Sequence, residues 1–419
     1  MDFQMRTPIY RSRPVDPTPA RFGRCERIND FVVMSEGFSN VYLLETAGAS
    51  VLVNSGMGME APVHHRNLSS HSDAPIGHLI FTQGHVDHVG GTAFFRELYP
   101  GLQVIAQSGN LEHQSYENRL AWFRARRAGF AFDDEFAAIN REYRDHGYTD
   151  FNPQDAPTPD VLFDDRLELN VGGLDVVLIG CPGAETNDSL IVWLPQHRIC
   201  LTGNLFGCPF GHFPNLSTIR GDRYRDALVC AQAAQTVLDL APAMILYGHH
   251  APVVGQDVIE AELTAFRDGT LYVHDETVKG MNQGKDVRTL MREISLPPEL
   301  ELGEGYGKVS WGVRSIWEHY SGWFHAESTT ELYDIGPRSV DADLVELAGP
   351  DQIVDRAGQK LAADHPEEAL HLLDIVLGHS PDHADARKLS RQVHQRLLEQ
   401  SENMWLTRWL KHQLKLLDN

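Results

Sequence analysis

Between Thr82 and Gly91 the chain reads Thr82-Gln83-Gly84-His85-Val86-Asp87-His88-Val89-Gly90-Gly91, which places two imidazoles and a carboxylate within four residues. The apolar run His78-Leu79-Ile80-Phe81 precedes it, and a helix-like segment from Thr92 to Tyr99 follows. A strand that stops at such a turn frees several side chains to converge on one point. Imidazole nitrogen and carboxylate oxygen, with no thiolate, suit Zn, Fe or Mn. The spacing points to a metal site.

Four other segments repeat the form, a polar residue in the loop after an apolar run. Pro182-Gly183-Ala184-Glu185 offers a carboxylate, and Leu201-Thr202-Gly203-Asn204 an amide. Gly248-His249-His250-Ala251-Pro252 offers an imidazole pair, with either His249 or His250 available as a ligand. Asn215-Leu216-Ser217-Thr218-Ile219-Arg220-Gly221 offers a cation, which either clamps an anionic group or pairs with an internal carboxylate. Polar residues on loops over a rigid scaffold are how active sites are commonly built. His64, His65 and His71 read as solvated, and His212 as a packed loop histidine.

The elements that must position these groups are short and β-branched. Strands are expected at 31–34, 41–45, 51–54, 78–81 and 103–106, and again at 161–163, 167–169, 174–179, 190–194, 199–201 and 244–247. A charged, aromatic-rich stretch at about 108–148 reads as a helical insertion, either a cap over a pocket or a plain layer on the sheet. A further helix is expected from Arg223 to Leu240. Two strand-rich halves with helices outside give an αββα layering. After about Arg338 the strand signals stop, and helices are expected at 351–363, 366–377, 383–399 and 402–417, with a tetratricopeptide-like pattern around Ala369-Leu370 and Pro381.

With these residues in place, the chain resembles the metallo-β-lactamase-fold hydrolases, and within them the alkylsulfatase-like branch. The family pattern T-H-x-H-x-D-H-x-G-G is met by Thr82 to Gly91, P-G-x-E by Pro182 to Glu185, N-x-x-T-x-R-G by Asn215 to Gly221, and H-x-x-P by His249 to Pro252. The resemblance implies an α/β fold, an αββα metallo-β-lactamase sandwich with a C-terminal all-helical (TPR-like) dimerisation module. Its parts would be a leader (1–28), a catalytic domain (29–337) and a helical dimerisation domain (338–419).

The resemblance also implies two metal positions. One takes His85 and Glu185, with Gln83 where the family has a histidine; the other takes Asp87, His88 and His249. Asn204 stands where a bridging carboxylate is usual, and Asn54 where an early aspartate is. Amide oxygens are poor ligands beside imidazole and carboxylate, and a lost anionic bridge no longer screens two dications from each other. The Asp87 position is therefore expected to be the stronger, and the Gln83 position weak or empty. The implied activity is hydrolysis of an ester-like substrate, an alkyl sulfate or similar amphiphilic anion, by a metal-activated water oriented by Asp87. One or two Zn ions would serve; Asn215 and Arg220 would hold the anionic head, and the aromatic insertion would cover the tail. A 2-His-1-carboxylate set also suits non-haem iron. A mononuclear iron oxygenase, with Fe or Mn for Zn, is thus the second reading, and a catalytically silent ligand-binding homologue the third.

Bulk properties frame these readings. The 419 residues favour more than one domain, and 42% hydrophobic with 22% charged residues is a globular composition. A formal net charge of −22 argues against nucleic acid and anionic membrane surfaces as partners. The five cysteines are odd in number and lack CxxC spacing, so free thiols are expected. No apolar run of about 18 residues suggests a membrane span, and the N-terminal stretch lacks a secretory apolar core. A cytoplasmic homodimer acting on a small molecule is the expectation.

Overall fold

Alternation along short strands decides the layers. The computed structural model describes residues 24–148, 152–207, 210–300 and 302–418. One sheet contains, in spatial order, β1 (Cys25–Arg27), β2 (Val32–Ser35), β3 (Val41–Leu44), β4 (Ser50–Val53), β5 (Ile76–Ile80), β6 (Gln103–Gln107) and β7 (Val161–Phe163). Pairing is antiparallel from β1 to β4 and parallel from β4 to β7. The second sheet has β8 (Arg166–Val171), β9 (Leu174–Gly180), β10 (Leu190–Leu194), β11 (Ile199–Gly203), β12 (Met244–Tyr247) and β13 (Val253–Val254), ordered β13-β12-β11-β10-β9-β8. There β11 and β12 run parallel and the other pairs antiparallel.

Because side chains alternate along a strand, each strand feeds two cores. Val32, Met34, Tyr42, Leu44, Val51 and Val53 turn inward, against Leu178, Leu190, Val192, Leu194 and Leu246 of the other sheet. The alternate residues Val33, Leu43, Leu52 and Leu79 turn outward, against α1 (Ala61–Ser69), the short α2 (Val86–Val89) and α3 (Thr92–Leu98). The insertion forms α4 (Asn110–Arg119) and α5 (Ala121–Asp145). On the outer face of the second sheet, Val177, Ile191, Trp193 and Ile245 meet α6 (Ala227–Leu240) and α7 (Gln256–Asn282), followed by α8 (Val287–Glu293) and α9 (Val309–Ser321). The layering is αββα, as the two strand-rich halves imply.

Several helices differ from expectation: α7, α8 and α9 were not expected, and two more differ for identifiable reasons. α6 starts later than Arg223 because the Asp226 carboxylate caps it, accepting from Leu228 N at 2.8 Å and Val229 N at 3.3 Å. The stretch read as solvated is helical, and His64 lies fully buried on α1, its Nδ1 2.8 Å from Ser35 Oγ. His65 is half-buried; His71 is exposed as expected. His212 is buried and accepts from Gly305 N at 2.9 Å, a packed loop histidine.

The chain divides into two compact units, one of residues up to Ala128 with Asp134–Tyr320, the other of Gly129–Asp133 with Ser321–Asn419. The second is helical: α10 (Asp341–Ala348), α11 (Pro350–Ala362), α12 (Pro366–His379), α13 (Ala384–Gln400) and α14 (Met404–Asp418). Pro350 and Pro366 open their helices, where a missing N–H costs nothing. Val345, Ile353, Ala357, Ala369, Leu373, Val376, Ala386 and Val393 form its core. Among the described residues no helix is long and apolar enough to cross a membrane. Cys25, Cys181, Cys200 and Cys230 are free thiols; Cys208 and the first 23 residues of the leader lie outside the described residues.

Candidate metal centre

The loops after β4, β5, β11 and β12 meet at one edge of the sandwich. Asn54, just past β4, adopts φ +62°, which asparagine tolerates better than most residues, and so turns its side chain to the next strand. Its Oδ1 accepts from Thr82 N at 3.0 Å and Thr82 Oγ1 at 3.1 Å. Asn204, past β11, donates from its backbone N to Gln83 Oε1 at 3.2 Å. Gly248, past β12, has no room for a side chain, since a Cβ would sit 2.0 Å from Asn204 Oδ1 and 2.9 Å from Gly203 C. Its carbonyl accepts from Asn40 N at 2.7 Å, which ties the turn to the first sheet.

This edge brings Asp87, His88 and His249 together. One ligand atom from each lies within 4.8 Å of the others. Asp87 Oδ2 is 3.5 Å from His88 Nε2 and 3.8 Å from His249 Nε2, and the two rings stand edge to face at 83°. Thr82 Oγ1 spends its proton on Asn54, so it accepts from His88 Nδ1 at 3.4 Å and leaves Nε2 unprotonated beside Asp87, where Asn204 Nδ2 donates to it at 3.0 Å. Burial pushes the His249 imidazole down to about 3 despite Asp87, and lowers His88 as well. Burial works against the Asp87 charge, but His88 and His249 hold its carboxyl below the ordinary value. The set is thus two neutral imidazoles and a carboxylate, the protonation states a divalent cation requires. Asn204 Oδ1, on the Gly248 side of its amide, is buried with no hydrogen-bond partner, an orphan that a turn of the amide would bring to a cation in place of Nδ2. The residues fit the metal.

The other expected ligands are placed differently. Gln83 Nε2 lies 2.6 Å from His85 Nδ1; because Gln83 Oε1 already accepts from Asn204, the amide donates and occupies that ring nitrogen. Glu185 belongs to neither acidic–histidine cluster found among the described residues. Its Oε1 takes Arg225 Nη2 at 2.8 Å, both side chains being buried, and its backbone carbonyl takes Arg225 Nε at 2.9 Å. Burial raises the Glu185 carboxyl, while Arg225 and Arg220 pull it back. Arg220 Nη2 stands 3.4 Å from His85 Nε2 and 3.6 Å from Asp222 Oδ2. Asn215 is buried, with its Nδ2 unpartnered and its carbonyl bonded to Arg225. His250 has φ +65° and stays outside the cluster.

Sequence reasoning did not single out Asp222, Arg225, His113 or Glu117. Asp222 receives Arg220 and Arg124, and lies 3.7 Å from His85 Nε2; burial opposes its charge, yet His85 and the guanidinium groups hold its carboxyl far below the usual range. His113 and Glu117 lie one turn apart on α4, and with His85 they make a second set of ligand atoms within 4.8 Å. The i, i+4 spacing of a histidine and a glutamate was the available signal.

Comparison with known proteins agrees with this architecture. The profile of the Metallo-beta-lactamase superfamily matches residues 34–249, and that of Alkyl sulfatase dimerisation matches residues 287–417. A linear primary-alkylsulfatase of Pseudomonas sp. (strain ATCC 19151) is 27% identical over 352 residues, covering 81% of this chain and 66% of the relative. The alkyl/aryl-sulfatase BDS1 of Saccharomyces cerevisiae is 24% identical over 412 residues, 93% of this chain and 63% of the relative. The chain therefore spans somewhat under two thirds of the length of these curated relatives. The solved sec-alkylsulfatase Pisa1 from Pseudomonas sp. superposes with a TM-score of 0.81 at 22% identity, over 94% of this chain and 66% of that one, which shows a shared fold.

Proposed function

Because this chain belongs to the metallo-β-lactamase superfamily, we propose that it is a metal-dependent hydrolase of the alkylsulfatase-like branch, with Asp87, His88 and His249 holding one divalent cation. The observation that carries this is the approach of those three side chains, from two loops far apart in sequence, to within 4.8 Å. When bound, such a cation acts as a Lewis acid and makes water a usable nucleophile near neutral pH. Zn is the first choice for this donor set; Fe or Mn would also fit.

The chain's own residues supply the rest. Thr82 and Asn54 fix the His88 tautomer, and Asp87 both ligates and orients the attacking group. The field of a chain with net charge −22 repels an anion, so local cations must capture it. Arg220, with a quarter of its side chain exposed beside His85, is placed to do that, and the unpartnered Asn215 Nδ2 offers a second donor. The named relatives favour an alkyl sulfate or similarly amphiphilic anion as the substrate. Exposed Trp323, Tyr333 and Leu347 on the helical unit suit pairing with a second copy, and buried free thiols suit the cytoplasm.

The test is metal analysis of the purified chain, with sulfate release from a medium-chain alkyl sulfate. Chelator-sensitive release that Asp87→Asn abolishes is the expected result. Iron with oxygen uptake would instead favour the oxygenase, and a chain that retains no metal would favour a silent binding protein.

A further inference from the structure

The cluster on α4 is built differently from the Asp87 set, and its hydrogen bonds define what it lacks. Asn187 Nδ2 donates to Glu112 Oε2 at 2.8 Å, which turns Asn187 Oδ1 toward His113 Nδ1, also at 2.8 Å. The acceptor at Nδ1 fixes the ring proton there and leaves Nε2 as a bare lone pair. That Nε2 is buried in a residue only 2% exposed and has no hydrogen-bond partner. It faces Glu117 Oε1 at 3.7 Å, beyond hydrogen-bond reach, and the His85 ring with centroids 5.2 Å apart. A histidine whose second nitrogen is anchored by an amide, with a carboxylate one helical turn away, has the arrangement of a metal ligand and its outer partner.

We propose that His113 and Glu117, with His85, form a metal site of their own for a divalent transition ion such as Zn, Co or Fe. It would lie outside the ligand pattern seen at Gln83, His85 and Glu185. Two of that pattern's donors are already committed, the His85 Nδ1 lone pair to Gln83 and Glu185 to Arg225. α4 brings in replacements of the right chemistry, and His85 lies two residues from Asp87, so the two sites adjoin. Glu117 Oε1 at present pairs with Arg124 Nη1, while Arg124 Nε has no hydrogen-bond partner. Arg124 also reaches Asp222 at 3.3 Å and lies 4.6 Å over the Tyr116 ring. Release of Glu117 to an ion leaves Arg124 Nη1 without that partner and keeps the other two contacts. His85 must exchange a neighbour at either nitrogen, Gln83 at Nδ1 or Arg220 at Nε2, which makes His113 and Glu117 the essential pair.

The test is equilibrium dialysis of chelator-treated full-length protein against Co(II), read as metal per chain and as ligand-field absorption. Wild type should take up a second equivalent that His113→Ala and Glu117→Gln each lose, while Asp87→Asn loses the other equivalent and keeps this one. Circular dichroism restricts the reading to folded variants, and Glu117→Gln serves if His113→Ala does not fold. Folded His113 and Glu117 variants that bind as much as wild type overturn the inference. So does a wild-type chain with a single equivalent that Asp87→Asn abolishes. A single equivalent lost in His113→Ala but kept in Asp87→Asn would uphold this site and sink the proposed hydrolytic one.

Discussion

Arg225→Leu should cost more stability than any single change to the expected metal ligands, and it separates two roles for Glu185. The guanidinium makes three contacts from a buried position, with Glu185 Oε1 at 2.8 Å, Glu185 O at 2.9 Å and Asn215 O at 2.7 Å. Removing it strands a buried carboxylate, which costs about 3–5 kcal/mol, and two carbonyls lose donors besides. Against a total stability of roughly 5–15 kcal/mol, the variant should sit near the edge of folding at neutral pH. Glu185→Gln keeps an acceptor for the guanidinium and should cost only about 1–2 kcal/mol. Combining the two changes should recover at least about 2 kcal/mol, because no charge is then left unpaired. Burial already raises the Glu185 carboxyl, so the Arg225→Leu penalty should shrink as pH falls and the acid takes up a proton. Urea unfolding followed by tryptophan fluorescence reads the stabilities, and mass spectrometry of metal reads the ligands. A Glu185→Gln chain that folds but loses metal would refute the account, as would an additive double variant.

Further outcomes follow from the same contacts. Arg220→Leu should raise KM for an alkyl sulfate by roughly 10- to 100-fold, the worth of about 1.5–3 kcal/mol for a charge-assisted hydrogen bond, with a smaller change in kcat; an unchanged KM would remove Arg220 from the head-group site. Burial holds the His64 imidazole down at about 3, so the unfolded chain binds the extra proton between that value and about 6.5, and stability must fall as pH drops through this window. The loss is about 1.4 kcal/mol near pH 5.5, and His64→Gln should remove that slope; the same pH dependence in both chains would contradict it. Leu347, 84% exposed on α10, should be buried in a pair, so Leu347→Asp should shift light-scattering mass toward the monomer, and a wild-type monomer would remove the pairing.

What the sequence disclosed, and what it did not, divides along one physical line. Strand positions other than the edge strands β1 and β13 were legible because a strand that feeds two cores must be short, β-branched and closed by a turn; Val161–Phe163, Leu190–Leu194 and Met244–Tyr247 coincide with expectation to the residue. The convergence of Asp87, His88 and His249 was legible because each lies in the turn region beyond such a strand, Asp87 and His88 on α2 after β5 and His249 just past β12, where a polar residue has no packing reason to be. α7 was not, since its polar face, with Gly269 and Gly280 set against Leu302 and Leu290, blurs the apolar stripe that marks a helix. His64 was misread for the opposite reason, its neighbours His65 and Arg66 being polar while its own side chain fills the space beside Gly37 and Gly56. The partners that decide the centre's electrostatics were hidden because they are reciprocal. Arg225 matters through Glu185 and the Asn215 carbonyl, and Asp222 through Arg220, Arg124 and His85, so neither carries a local signature. That reciprocity also explains why substituting Gln83 for a histidine does not leave a hole. Its amide now bonds His85 on one side and Asn204 on the other, and a site that has repaired itself with hydrogen bonds will not regain a metal by a Gln83→His change alone.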